Sequence, residues 1–375
     1  MKNSWLEVVD MISPKVSAVV PVYNLEFYIE RCLESLAQQT LEDIEVIVVN
    51  DGGTDDSQTI IDDYVQKFPS KFKSFIKPNG GHGAACNYGI DRASGEYIII
   101  VDGDDFLDHD SIEFMYYKAK ETGADLLIGN LLYCYTGSTA PFKPLPFDRE
   151  KELDSDDRDL LYKNWATPCG RMYHRSIFAD PDVRLKEGII FADANFVPKS
   201  YLVAKKIYYV DKELYNYDVT RPTQSMKQTD KRVLNIAVAL EDMIQFYKKK
   251  GEFENFRKQL QWYTARHCVG WIAKIRYLEG YDKLTALREL FAVPEKHFGR
   301  AWVKDEAILE TFGRKEAKKL VLAQKFNYAL YPLYWNAVPM ARKVDSKIEY
   351  FLSIPVFAYR KARNLSFRLL HRIIA

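Results

Sequence analysis

Asp102-Gly103-Asp104-Asp105 crowds three carboxylates directly after the apolar run Tyr97 to Val101. Like charges held this close raise one another's pKa unless a cation neutralises them, so a hard divalent ion, Mg²⁺ or Mn²⁺, would relieve the crowding. Mg²⁺ takes few protein ligands and fills its shell from phosphate and water, so a bound diphosphate would complete such a site. A solvated turn with helix-capping aspartates also accounts for the same residues. Asp51-Gly52-Gly53 and Asn79-Gly80-Gly81-His82-Gly83 stand at comparable places. Each can be read as a plain turn or loop, with Asp51 capping the next helix. Gly81-x-Gly83, followed about 20 positions later by Asp102, imitates a dinucleotide fingerprint. Cys86 stands where its third glycine belongs and the segment is not at the first βα turn, which sets NAD aside.

The elements that must position these residues follow from hydrophobic periodicity. Val16 to Tyr23 reads as a strand, and Phe27 to Leu36 as a helix through Ile29, Cys32, Leu33 and Leu36. Ile44 to Val49 is a second buried strand, followed by a helix opening near Asp55 or Asp56 and running past Tyr64. A short strand Phe72 to Ile76, a helix Ala84 to Ala93 and a strand Tyr97 to Val101 complete the alternation. Such alternation implies a parallel sheet covered on both faces, with ligands beyond the strands' carboxyl ends. Tyr23-Asn24, Asp51, the Asn79 loop and Asp102 to Asp105 should therefore converge on one crevice. A charged stretch around Asp148 to Asp159, then Trp165 to Ile177, Gly188 to Val197 and a strand-like Ile207 to Tyr217, should complete this domain. From about Asp230 the pattern is helical. The expected domains are residues 1–229 and 230–375.

A length of 375 residues with 47% hydrophobic content suffices for at least one full core. Lys plus Arg number 53 against 52 Asp plus Glu, so the net charge of +1 draws the chain toward no nucleic acid. The five cysteines, Cys32, Cys86, Cys134, Cys169 and Cys268, are scattered without CxxC spacing, which disfavours a disulfide framework or zinc site and suits a reducing cytosol. Glu7 and Asp10 interrupt what would be a signal-peptide core, and no run of about 18 apolar residues occurs. A cytoplasmic location is expected. From Tyr331 the tail mixes aromatic and aliphatic residues with an excess of Lys and Arg. It reads either as an interfacial helix on anionic lipid, which would dock the protein on the inner face of the plasma membrane, or as a packed helix with a solvated basic face.

Val16 to Tyr64 together with Asn79 to Asp105 resembles the family 2 glycosyltransferases of GT-A fold. PVYN, NDGGTDDS, NGGHGAACN and DGDD occur in the family's order and spacing, strongly through about residue 110 and more weakly to about Ser225. The resemblance implies a Rossmann-like, mixed but mainly parallel α/β sheet flanked by helices, with a helical C-terminal region. It implies an inverting, metal-dependent enzyme that moves sugar from a nucleotide-diphosphate donor, UDP foremost, to a hydroxyl. The acceptor would be a cell-surface polysaccharide, teichoic acid or lipid-linked glycan precursor.

Residue by residue, Pro21, Val22, Tyr23 and Asn24 would line the nucleotide pocket, and Asp51 would accept from the base. Asn79, Gly80, Gly81, Asn87 and Gly103 would lie on the donor side, Asp102 near the ribose, and Asp104 on the Mn²⁺ or Mg²⁺. Trp165 and Arg171 fall in the segment shaping the acceptor side. Asp193 corresponds to the catalytic base, although by itself it reads as a helix N-cap. Arg221 and Ser225 would contact the donor's phosphates. The chain departs from the family at Cys86, often Arg, and at Ala192, usually Glu. It has no His between Leu214 and Met226 to serve as a further metal ligand. Two other readings remain. A sugar-nucleotide pyrophosphorylase would carry a Gly-rich, Arg/Lys-bearing phosphate signature that VVPVYN lacks, and a noncatalytic sugar- or nucleotide-binding protein would account for Cys86 and Ala192.

Overall fold

A computed structural model describes residues 13–164, 167–305, 308, 309, 324 and 328. β1 (Val16–Val22) and, after α1 (Ile29–Ala37), β2 (Ile44–Asn50) are buried along their whole lengths, as strands covered on both faces must be. α1 buries Ile29, Cys32, Leu33 and Leu36, one stripe of a 3.6-residue period. α2 (Ser57–Lys67), β3 (Phe72–Ile76), α3 (His82–Ile90) and β4 (Tyr97–Ile100) follow. α3 begins at His82 rather than Ala84, because Gly81, at φ +85°, turns the chain sharply into the helix.

The chain continues through α4 (Ser111–Thr122), β5 (Leu126–Tyr135), β6 (Ser138–Phe142), β7 (Lys151–Glu152), α5 (Ser155–Lys163), β8 (Arg171–His174), α6 (Asp193–Val203) and β9 (Ile207–Asp218). The sheet order is β3-β2-β1-β4-β8-β5-β9-β7, with β6 paired to β5. β3, β2, β1 and β4 run parallel, β8 is antiparallel to both neighbours, and β5 and β9 are parallel. Successive residues of β2 serve opposite faces. Val46 and Val48 join the core beneath α1 and α4, while Ile47 and Val49 meet Ala85 of α3. Each such side chain contributes roughly 1.5–3 kcal/mol when fully buried.

The chain forms two compact units. The first, Met1–Leu153, Pro168–Glu187 and Ser200–Arg221, carries the whole sheet. The second comprises Asp154–Thr167, Gly188–Lys199 and Pro222–Ala375. The expected division at residue 229 was continuous in sequence, whereas these units interleave along the chain. Within the second unit, α7 (Asn235–Lys249), α8 (Arg257–Arg276) and α9 (Lys283–Phe298) bury Leu240, Met243, Trp262, Leu287 and Phe291. The buried hydroxyls of Tyr162 and Tyr247 share a hydrogen bond of 2.7 Å there. Among the described residues no helix is long and apolar enough to cross a membrane. Trp165 and the aromatic-basic tail beyond Tyr331 lie outside the described residues.

Candidate active site

The parallel register aligns Val22 with Asn50 and Asn50 with Ile76, so the carboxyl ends of β1, β2 and β3 finish together. Pro21 and Val22 are buried within β1, and Tyr23 and Asn24 emerge exposed at its end. Asn24 sits in the left-handed region at φ +51°, and its Oδ1 accepts from the Thr54 amide at 2.8 Å. Asp51 is buried, and its carboxylate is fully engaged. Oδ1 accepts from Lys77 Nζ at 2.6 Å and the Gly80 amide at 3.0 Å, and Oδ2 accepts from the Gly81 amide at 2.7 Å. Gly52 makes this possible: at φ +72°, a Cβ there would stand 3.0 Å from the Asn79 amide nitrogen. The Asn79–Gly81 loop thus folds down onto Asp51.

The same loop is held at its other end. His82, the first residue of α3, brings Nε2 to 2.8 Å from Asp102 Oδ1, and Cys86 Sγ lies 3.6 Å from that nitrogen. Asp102 Oδ2 accepts weakly from the Cys169 thiol at 3.6 Å. β9 supplies the rest of the surroundings. The Tyr215 hydroxyl accepts from the Asp102 amide at 3.0 Å and donates to Asp105 Oδ2 at 2.7 Å, and the Asp218 amide donates to Asp105 Oδ1 at 2.7 Å. Arg221 Nε donates to Asp104 Oδ2 at 2.6 Å. Arg31 Nη2 bridges the Asp104 carbonyl at 2.9 Å and Asp218 Oδ2 at 2.5 Å.

These surroundings separate the three carboxyls. Burial pushes Asp105 well above the usual carboxylate range, with Asp104 and Asp102 adding to it. Burial also raises Asp104, which Arg221 only partly offsets. Burial opposes ionisation of Asp102 too, but His82, the Cys169 thiol and Arg221 outweigh it and hold the carboxyl below its usual range. Asp102, Asp105 and Cys169 offer ligand atoms within 4.8 Å of one another, while Asp104 faces Arg221. Two carboxylate oxygens and a thiol are a donor set that a divalent cation can use, and its charge would pull the raised carboxyls down. Gly103 allows close packing, since a Cβ would stand 2.8 Å from Leu25 Cδ1 and 3.1 Å from the Pro21 carbonyl.

Asn87 is occupied in tying α3 to the 185–187 segment, donating to the Leu185 carbonyl at 2.9 Å and to Glu187 Oε1 at 3.1 Å. Arg171 is buried on β8 with its guanidinium 5.4 Å from the Tyr201 ring. In the second unit, Asp193 is the first residue of α6, not the residue before it. Phe191, two residues earlier, has φ +65°, a strained value for a bulky side chain, and its ring meets Trp271 edge-on at 5.0 Å. Asn195 and Lys199, further along α6, both donate to Asp242 Oδ2. Ser225 is exposed in a short 3₁₀ turn, Ser225–Lys227. Lys77, His82, Arg31, Tyr215 and Asp218 were not singled out from the sequence. His82 lies within a segment that was and Lys77 just before it, so proximity could have flagged them, whereas Arg31 reaches the cluster from α1 and Tyr215 and Asp218 from β9.

A nucleotide-binding type of α/β sheet with carboxylates gathered at the ends of its parallel strands defines a class, and sequence comparison narrows it. The sequence model of Glycosyl transferase family 2 matches residues 17–180. The putative glycosyltransferase EpsH of Bacillus subtilis (strain 168) is 31% identical over 264 residues, which cover 68% of this chain and 76% of EpsH. The poly(ribitol-phosphate) beta-glucosyltransferase of Bacillus spizizenii is 33% identical over 248 residues, 65% of this chain. The matched stretch makes up only 38% of that protein, and 36% of glycosyltransferase GlyA of Streptococcus pneumoniae. Among solved structures, Staphylococcus aureus TarS 1-349 in complex with UDP-GlcNAc shares the fold at TM-score 0.54 and 21% identity, covering 83% of this chain and 92% of that one. The chain belongs to glycosyltransferase family 2 and has the GT-A fold.

Proposed function

We propose that the chain is an inverting, metal-dependent glycosyltransferase that uses a UDP-sugar and glycosylates a hydroxyl of a cell-surface polysaccharide or teichoic acid. The observation that carries this reading is the Asn79–His82 loop, pinned between Asp51 and Asp102 beside the Asp104–Arg221 pair. The TarS complex with UDP-GlcNAc makes UDP the first nucleotide to test, and the poly(ribitol-phosphate) enzyme supports a polyol-phosphate or glycan hydroxyl as acceptor.

Asp104, with the neighbouring Asp102 carboxylate available to it, would hold Mn²⁺ or Mg²⁺, hard ions that take oxygen ligands rather than the Cys169 thiol. Such an ion, when bound, neutralises charge on a departing diphosphate. Arg221 donates to the same diphosphate, its guanidinium already oriented by Asp104. Asp51, anchoring the Asn79 loop, sets the floor against which the base is read, and Asp102 faces the ribose. Asp193 takes the proton from the acceptor hydroxyl, a contribution of ~10²–10⁴ in rate. A mechanism with one general base and one departing group is a single displacement that inverts the anomeric centre.

The test is a panel of UDP-, GDP- and dTDP-sugars with Mn²⁺, scoring donor hydrolysis and the anomeric configuration of any product by NMR. Consumption of a UDP-sugar with inverted product is expected. No turnover of any donor, or retained configuration, overturns the reading.

A further inference from the structure

We infer that His82 is the positioning residue for Asp102, fixing which oxygen of that carboxylate is presented to the donor nucleotide; this rests on the donor reading above. Asp102 ends β4's extension as a half-exposed carboxylate, its side chain 25% accessible, and the His82 side chain beside it is 41% accessible. Both therefore stand at the open side of the strand ends rather than in the core. The 2.8 Å contact from Nε2 to Oδ1 joins a ring nitrogen to a group that, ionised, only accepts, so Nε2 carries the hydrogen. Oδ1 is thereby committed, and the Tyr215 hydroxyl holds the Asp102 backbone amide. Among the described residues, the donor to Oδ2 is the Cys169 thiol at 3.6 Å, a weak contact that an incoming hydroxyl or cation readily displaces.

The same nitrogen lies 3.6 Å from Cys86 Sγ. Residues four apart on a helix share one face, so Cys86 stands one turn behind the His82 ring that meets Asp102. Cys86 is fully buried with its Sγ against the imidazole, so the space that removal of the His82 ring vacates adjoins position 86. That geometry supplies a rescue test. An arginine at 86 in a chain lacking the His82 ring extends into the vacated space and restores a donor to Oδ1.

The experiment measures UDP binding with Mn²⁺ present by calorimetry, on the full chain, for the parent, His82→Ala, His82→Gln and the double variant His82→Ala/Cys86→Arg. His82→Ala should weaken UDP on the order of tenfold, the scale expected for loss of one charge-assisted hydrogen bond. His82→Gln, which keeps an N–H donor, and the double variant should each recover most of that loss. UDP affinity in His82→Ala within about twofold of the parent overturns the inference. So does a loss that neither rescue variant repairs, which would mark His82 as merely structural. A parent that binds no UDP at all defeats the donor reading itself and this inference with it, whereas the other two results leave that reading standing.

Discussion

Asp105 and Asp102 are close in sequence yet shift in opposite directions, because burial and the neighbouring carboxylates push Asp105 up while His82 outweighs burial and draws Asp102 down. A raised folded pKa means that Asp105's contribution to stability is complete below the ordinary carboxylate range and is lost as pH rises through the folded value. Asp105→Asn, which mimics the protonated acid, should therefore remove part of the parent's loss of stability on going from acid to neutral pH. Urea denaturation in EDTA across that range checks this, and parallel curves for the two proteins would refute it. Asp193→Asn, in turn, should leave UDP binding unchanged and lower transfer by ~10²–10⁴. Undiminished turnover would remove Asp193 as the proposed base. The acidic triplet and Asp51 were legible in the sequence because each is a local cluster at a strand end. Tyr215 and Arg221 were separated from their partners by 110 and 117 residues, so nothing local could reveal what each one faces.

At the scale of elements, the parallel half of the sheet was readable because β1, β2 and β4 are largely apolar runs, interrupted only by Ser17 and Glu45, that end at polar or Gly-rich turns. β5 was not, although it pairs with β6, β8 and β9. Gly129 and Asn130 interrupt its alternation at the point where its register with β9 shifts. Asn130 is buried there, and its amide is satisfied by Asp211 at 2.8 Å and the Tyr209 hydroxyl at 2.7 Å. A polar residue so placed hides a strand from hydrophobic pattern alone. The packing of α3 on β1 yields a sharper test. A Cβ at Gly89 would stand 2.4 Å from Val19 Cγ1, and neither helix nor buried strand has room to yield. Gly89→Ala should cost about 1–3 kcal/mol through overpacking, read as a lowered denaturation midpoint. A stability equal to the parent's would show that α3 is looser on the sheet than these distances state.

For the molecule as a whole, the near-zero net charge supplied no overall pull toward nucleic acid, and it could not foreshadow how the units interleave. Hydrophobic periodicity marks elements and not which unit they join, so the segments 154–167 and 188–199 read as parts of the first domain. What the whole chain is proposed to do depends on a cation at the strand ends. EDTA should abolish transfer and Mn²⁺ or Mg²⁺ restore it, since raised carboxyls such as Asp104 gain most from a positive charge beside them. The most direct measurement is calorimetric titration of the full chain with UDP, once in Mn²⁺ and once in EDTA. UDP affinity at least ~10-fold higher with the metal is predicted, from shared coordination of protein carboxylate and diphosphate oxygens. Equal affinity in the two buffers would contradict a cation bridging these aspartates to the donor.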